Sequence, residues 1–367
     1  MEGRKILFIG SFRKAKNGYY GGVYFSSTTL RDQLIEKQFE VIELDTTLKD
    51  ISETRVLKRL PRLFIRQFNF TFKVLFNPGA RIIFIFLSAG DSYIDKFSSI
   101  ILARILGKKI VLFPRSGHII NSYKSSVYRF FINTSFAASD YIVCQSVFWR
   151  DFFISKNVKP CKLTVIENWV DEDKINKSKS IDFPSFSILN NESFKIIFVS
   201  RIEKAKGILD LIELALAIQG KLNFSIHIYG SGSYIKELIE TIKIYKLEET
   251  LSFKGWLEQK DLIKTINSHH LAIFPSKVEG YPNSIMDFIF AKVPILAFDI
   301  PTVRAVGGSN INYYSNDCLS GLSEKVLEIA NDYSSHVKKS EQIYAEKLVN
   351  NSLANAFNKI QTIISKN

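Results

Sequence analysis

Two successive series of apolar, strand-like runs, each run followed by an amphipathic stretch, constrain this 367-residue chain more than any other feature. The first series occupies residues 5–9, 40–44, 81–87, 109–113 and 141–144. These runs are rich in Ile, Val and Phe and lack polar alternation, the pattern of strands covered on both faces of a parallel sheet. A polar stretch, 171–193, interrupts the series, which resumes at 195–200, 224–229, 271–274 and 294–298. The fold class expected is therefore α/β, with two Rossmann-like doubly wound domains facing across a cleft. The boundaries are placed at 1–170 for the first domain, 171–193 for a linker and 194–345 for the second. Apolar residues at helical spacing over 348–364 predict a C-terminal helix, about 346–367, packing back towards the first domain. In open α/β sheets ligands bind beyond the carboxyl ends of the strands, so the chemistry is expected on post-strand loops.

A chain of this length supports two cores, since single cores rarely exceed about 250 residues. Cys144, Cys161 and Cys318 form no Cys-x-x-Cys pair and fit a reducing, cytoplasmic setting. The opening apolar run is too short for a signal-peptide core, and 82–87 falls far short of the ~20 residues that span a bilayer. The net charge of +13 is concentrated: residues 1–165 hold 26 Lys+Arg against 12 Asp+Glu, an excess of 14 that leaves the remainder near neutral. A basic first half suits nucleic acid, an anionic membrane or an acidic substrate, or is simply a solvated surface.

Two strand-to-helix corners in the second half carry the chemistry. In Pro275-Ser276-Lys277-Val278-Glu279-Gly280-Tyr281-Pro282-Asn283-Ser284-Ile285-Met286-Asp287, a helix starting near Pro282 to Ser284 turns backbone N–H groups and the positive end of its dipole towards an anion such as pyrophosphate. Glu279, on the turn, can accept hydrogen bonds from sugar hydroxyls. Asp287, a little over one turn into the helix, can hold vicinal ribose hydroxyls. Alternatively, Ser284 and Asp287 form a capping box and Glu279 is a solvated loop residue. In Ser200-Arg201-Ile202-Glu203-Lys204-Ala205-Lys206-Gly207, two cations five residues apart can clamp a diphosphate and neutralise charge on a departing nucleotide, or are ordinary loop cations. Gly230 and Gly232 follow a strand, where small residues let a nucleotide approach the backbone. Trp256 lines a base pocket or packs internally.

Taken together these stretches resemble glycosyltransferase family 4, whose members have the GT-B fold. Its paired acids, separated by seven other residues, match Glu279 and Asp287, with Asp in place of the usual Glu. Its Gly-Arg-x-x-x-x-Lys-Gly pattern matches 200–207, with Ser200 in place of Gly. The resemblance implies catalytic roles for Arg201, Lys206, Glu279 and His118, the last after Pro114-Arg115-Ser116-Gly117. Gly230, Gly232, Tyr281, Pro282, Asn283, Ser284 and Asp287 would bind the donor. Gly21 and Gly22 resemble an acceptor-side loop and lack the dinucleotide-binding glycine spacing. Residues 165–171 resemble an interdomain hinge, so Asp171-Glu172-Asp173 is not read as a metal motif.

The resemblance further implies transfer of a sugar from a nucleotide-sugar donor to a glycan or lipid-linked acceptor with retention of configuration. The acceptor hydroxyl would attack from the face the diphosphate vacates, with a phosphate oxygen as base and neither metal nor cofactor. Bacterial capsule, O-antigen or exopolysaccharide synthesis is the expected setting; the alternatives are a nucleotide-sugar epimerase or a catalytically silent subunit of an assembly complex. Between Arg55 and Phe76 lie Lys58, Arg59, Arg62, Arg66 and Lys73 among many Leu, Ile and Phe residues, with Pro61 expected to break or restart the helix. This segment is read as attaching to an anionic membrane surface, on the inner face of the cell membrane, the alternative being a core-facing helix with a charged outer face. No nucleic-acid-reading motif is present.

Overall fold

A computed structural model describes residues 5–14, 22–47, 56–190, 192–315 and 320–365, with the side chains of 56–63 and of residue 320 excepted. The chain forms two compact units, Met1–Trp169 with Leu353–Asn367, and Val170–Ser352.

The first unit runs β1 (Lys5–Gly10), α1 (Gly22–Glu36), β2 (Glu40–Asp45), α2 (Val56–Phe76), β3 (Ile82–Leu87), α3 (Gly90–Ile105), β4 (Lys109–Pro114), α4 (Ile119–Ser122), α5 (Ser126–Ala138), β5 (Tyr141–Cys144), α6 (Val147–Ile154) and β6 (Leu163–Val165). All its strands are parallel, in the order β2-β1-β3-β4-β5-β6. Side chains alternate across the sheet, so Leu7, Ile9, Ile83 and Ile85 enter one core while Ile6, Phe8, Phe84 and Phe86 enter the other. Both sets are apolar because helices cover both faces.

The second unit runs α7 (Glu172–Lys179), β7 (Phe194–Val199), α8 (Ile208–Ile218), β8 (Phe224–Tyr229), α9 (Ile235–Ile244), β9 (Leu251–Gly255), α10 (Leu262–Asn267), β10 (Leu271–Phe274), α11 (Asn283–Phe290), β11 (Ile295–Phe298), α12 (Pro301–Gly307), β12 (Asn312–Tyr314), α13 (Ser320–Asn331) and α14 (Tyr333–Asn350). Its parallel sheet has the order β12-β11-β10-β7-β8-β9, so the winding direction reverses between β7 and β10. That reversal leaves a crevice at the carboxyl ends of β7 and β10, the usual ligand position in such sheets.

Three features differ from the sequence reading. The segment expected as a linker holds α7, because Asp171 caps it by accepting the Lys174 N–H at 2.8 Å and Ile175 enters the second core. The C-terminal helix, α15 (Leu353–Ser365), starts after a break at Asn351 and Ser352, so Leu348 belongs to α14. Ala356, Phe357, Ile360 and Ile363 of α15 pack into the first unit's core. Thirdly, α2 continues through Pro61 without restarting. Phe70 and Val74 anchor α2 inward, and Gln67 accepts from Ser98 and Ser99 of α3.

Candidate functional site

The β7–α8 and β10–α11 loops meet at the reversal point of the second sheet. Gly207 has φ +74°, and a Cβ there would lie 2.4 Å from the Pro275 carbonyl oxygen. Only glycine permits so close a crossing in that conformation. The approach brings Lys206 Nζ to 2.6 Å from Glu279 Oε1, with the two side chains 12% and 13% exposed. A cation and a sequence-distant carboxylate thus form one buried pair at the strand ends. Arg201, on the same loop as Lys206, is 62% exposed and pairs with Glu203 at 2.8 Å.

Gly230 and Gly232 stand beside this loop and have a packing role besides the one expected. A Cβ on Gly230 would lie 1.8 Å from the Ser200 carbonyl oxygen, and one on Gly232 would lie 2.2 Å from that of Ile202. Ile202 N–H donates to Ser231 and Tyr234 N–H donates to Ile202. The glycines therefore admit the Arg201 loop itself.

Helix α11 starts at Asn283 with Pro282 at its N-cap and no side-chain cap bond. The capping-box alternative is overturned, since Ser284 lies inside the helix. Asn283 and Ser284 are half-buried at the helix start, where N–H groups and the dipole favour an anion. Asp287 instead pairs with Lys174 of α7, Nζ to Oδ1 at 2.5 Å, with side chains 10% and 16% exposed. Burial raises the Asp287 pKa, while Lys174 pulls it down. Tyr281, expected beside the donor, is buried in the core, with its hydroxyl donating to Met286 Sδ and accepting from Asn351 Nδ2. Its ring is the apolar anchor of the turn. Trp256 is half-buried.

In the first unit, His118 is exposed and precedes the short helix α4, its carbonyl accepting from Ser122 Oγ. Gly22 opens α1, and Gly21 lies outside the described residues. Sequence reasoning missed the polar pin beneath His118. Arg115 is buried among Phe86, Phe113 and Trp169, and its NH1 donates to Asn168 Oδ1 at 2.6 Å. Gln145 donates to the same oxygen, and burial lowers the Arg115 pKa to about 9. Lys174 was also missed, because it lies 113 residues from Asp287 and nothing in either local pattern links them.

Among the described residues no group of three or more His, Cys, Asp or Glu is placed to hold a metal ion. Asp171 is engaged as the cap of α7. Cys144 is buried and Cys161 exposed, both unpaired, and Cys318 lies outside the described residues.

The pair of doubly wound units defines the class: this is the fold of GT-B glycosyltransferases. The structure of Anabaena Alr3699/HepE, in complex with UDP and glucose, is matched over 98% of this chain and 99% of that one, with a TM-score of 0.69 and 16% identity. Residues 181–346, which include both loops of the site, match the family model described as glycosyl transferases group 1. Among curated proteins the chain is similar to the poly(ribitol-phosphate) alpha-N-acetylglucosaminyltransferase of Staphylococcus aureus, 28% identical over 36% of this chain and 28% of the relative. It is also similar to the capsular polysaccharide biosynthesis glycosyltransferase CapM of Staphylococcus aureus, 23% identical over 54% of each. The chain thus spans between about a quarter and just over half of these relatives.

Proposed function

We propose that the chain is a glycosyltransferase that moves a sugar from a nucleotide-sugar donor to a glycan or lipid-linked acceptor in bacterial surface-polysaccharide synthesis. The observation that carries this reading is the Lys206–Glu279 pair at the reversal point, flanked by exposed Arg201 and the start of α11. This cluster offers what a nucleoside diphosphate-sugar requires: cations and a helix N-terminus for the diphosphate, and a carboxylate for sugar hydroxyls. The relatives of the chain are named for poly(ribitol-phosphate) and for capsular polysaccharide, which supports an acceptor of that kind.

In the mechanism we favour, that of glycosyltransferase family 4, configuration is retained. The acceptor oxygen attacks the anomeric carbon from the face of the leaving diphosphate, the glycosidic bond to phosphate breaks, and a phosphate oxygen takes the acceptor proton. Arg201 and Lys206 stabilise the charge arriving on the diphosphate, without need of a metal or cofactor. Their electrostatic contribution, if like that of an oxyanion donor, is on the order of 10² to 10³ in rate. Glu279, held by Lys206, orients the sugar. By the family resemblance His118 is assigned to the sugar as well. The chain works at the inner membrane face, with α2 as its contact.

The test is thermal stabilisation by a panel of nucleoside diphosphates and their sugars, with chelator and with Mg²⁺ or Mn²⁺. A ligand at a hundredfold excess over its Kd adds about 2.7 kcal/mol, several degrees for a unit of this size. One nucleotide series is expected to give that shift with chelator present, and Arg201→Ala to abolish it. Absence of any shift across the panel refutes the donor site, and a shift that needs the cation refutes metal independence.

A further inference from the structure

The two acids of the β10–α11 corner are each held by a lysine from outside the corner: Glu279 by Lys206, and Asp287 by Lys174. Lys174 is the third residue of α7, whose start is set by the Asp171 cap. Helix α7 is fixed in turn by Ile175 in the core and by Ser178 Oγ, 3.0 Å from the Tyr344 hydroxyl of α14. Its side chain thus reaches Asp287 from a rigid base. A buried carboxylate with no cation beside it would favour its neutral form and a different rotamer. Lys174 bonds Oδ1, and the ribose contact is therefore assigned to the second carboxylate oxygen, Oδ2.

We propose that Lys174 is a positioning residue for nucleotide recognition: it holds the Asp287 carboxylate so that Oδ2 accepts from the ribose hydroxyls of the donor. This deepens, and rests on, the donor-site reading above. Aspartate is one methylene shorter than glutamate, and the pairing with Lys174 fixes that shorter reach in place. Lys174 touches no reacting atom in this account, and its effect passes entirely through Asp287.

Calorimetric titration of the full chain with UDP, GDP and ADP, each beside its dideoxy form lacking both ribose hydroxyls, tests this. The wild type is expected to prefer one ribose form by about tenfold or more, the contribution of hydrogen bonds to a charged group. Lys174→Met should bring that affinity down to the dideoxy level while leaving dideoxy binding unchanged. Retained discrimination, or an equal loss for both forms, overturns the proposal, because a merely structural lysine would weaken both alike. Equal binding of both forms by the wild type overturns it too, while leaving the donor site standing. Absence of all nucleotide binding by the wild type removes the donor site and this proposal together. If Lys174→Met fails to fold, Lys174→Leu, which likewise lacks any N–H donor, is read by the same criteria.

Discussion

Gly230 and Gly220 both have positive φ, +146° and +75°, yet they differ in what surrounds them. A Cβ on Gly220 meets nothing within 4 Å, so Gly220→Ala is expected to cost only the left-handed penalty, about 1–2 kcal/mol. On Gly230 the same methyl collides with the Ser200 carbonyl, next to Arg201. Gly230→Ala should therefore destabilise more than Gly220→Ala in urea melts and also displace the Arg201 loop, reducing nucleotide binding. Equal costs with intact binding would show that the loop crossing does not position Arg201. At this scale the two corners were legible in the sequence, because the spacing within each is local, and the structure brings Lys206 of one to Glu279 of the other. The Lys174–Asp287 contact and the buried Arg115–Asn168 pin were not, since tertiary packing alone brings them together.

Between elements, a histidine network joins β8 to the turn before β10. His227 Nδ1 lies 2.8 Å from His269 Nε2, and His269 Nδ1 lies 2.8 Å from the Thr265 carbonyl oxygen. A carbonyl only accepts, so His269 Nδ1 donates to it; in the neutral ring Nε2 is then an acceptor for His227 Nδ1–H. Burial pushes His269 down to about 4, and His270 likewise. A histidine pKa below its unfolded value of about 6.5 means that the unfolded chain binds protons more readily in that window. The stability is therefore complete above pH ~6.5 and declines as pH falls towards ~4, by on the order of 1–3 kcal/mol per histidine. Melting temperature measured from about pH 7.5 to about pH 4.5 should fall less steeply in His269→Gln than in the wild type. Parallel curves would mean that carboxylates alone set the acid limb. Nothing in the local sequence around His227 and His269 signals their contact, which the packing of β8 against the turn before β10 creates. Strand-like runs were legible where apolar residues were continuous, as in β3 and β10, whereas β6 and β12 are three-residue strands without such a run. Helix α7 was read as linker because its sequence, EDKINKSK, is mostly polar and only Ile175 adds an apolar side chain to the core.

Over the molecule as a whole, charge and exposed apolar surface coincide in one place. Residues 1–165 carry the positive excess, and α2 has five Lys or Arg and no Asp or Glu. Beyond the inward Phe70 and Val74, α2 leaves Phe64 75% and Phe68 71% exposed, with Phe72, Leu75 and Phe76 also outward. A helix apolar on its outer side as well as its inner one calls for a second apolar phase. A core-facing helix with a wholly charged outer face would not expose Phe64, Phe68 and Phe72 in this way. Among the described residues no helix is long and apolar enough to cross a bilayer. The membrane contact proposed for α2 is one at the surface. Each basic residue near an anionic leaflet contributes about 1 kcal/mol, and each apolar side chain fully removed from water about 1.5–3 kcal/mol. Co-sedimentation with vesicles of phosphatidylglycerol and phosphatidylethanolamine should therefore show binding that weakens with salt but persists in part, because the phenylalanine contribution is not screened. Phe64→Ser/Phe68→Ser/Phe72→Ser should remove the salt-resistant fraction and leave nucleotide binding intact, since none of the three lies in the second unit. Wild-type binding lost completely at moderate salt would reduce the contact to adsorption of the basic half, and no binding at all would remove the membrane from the proposed function.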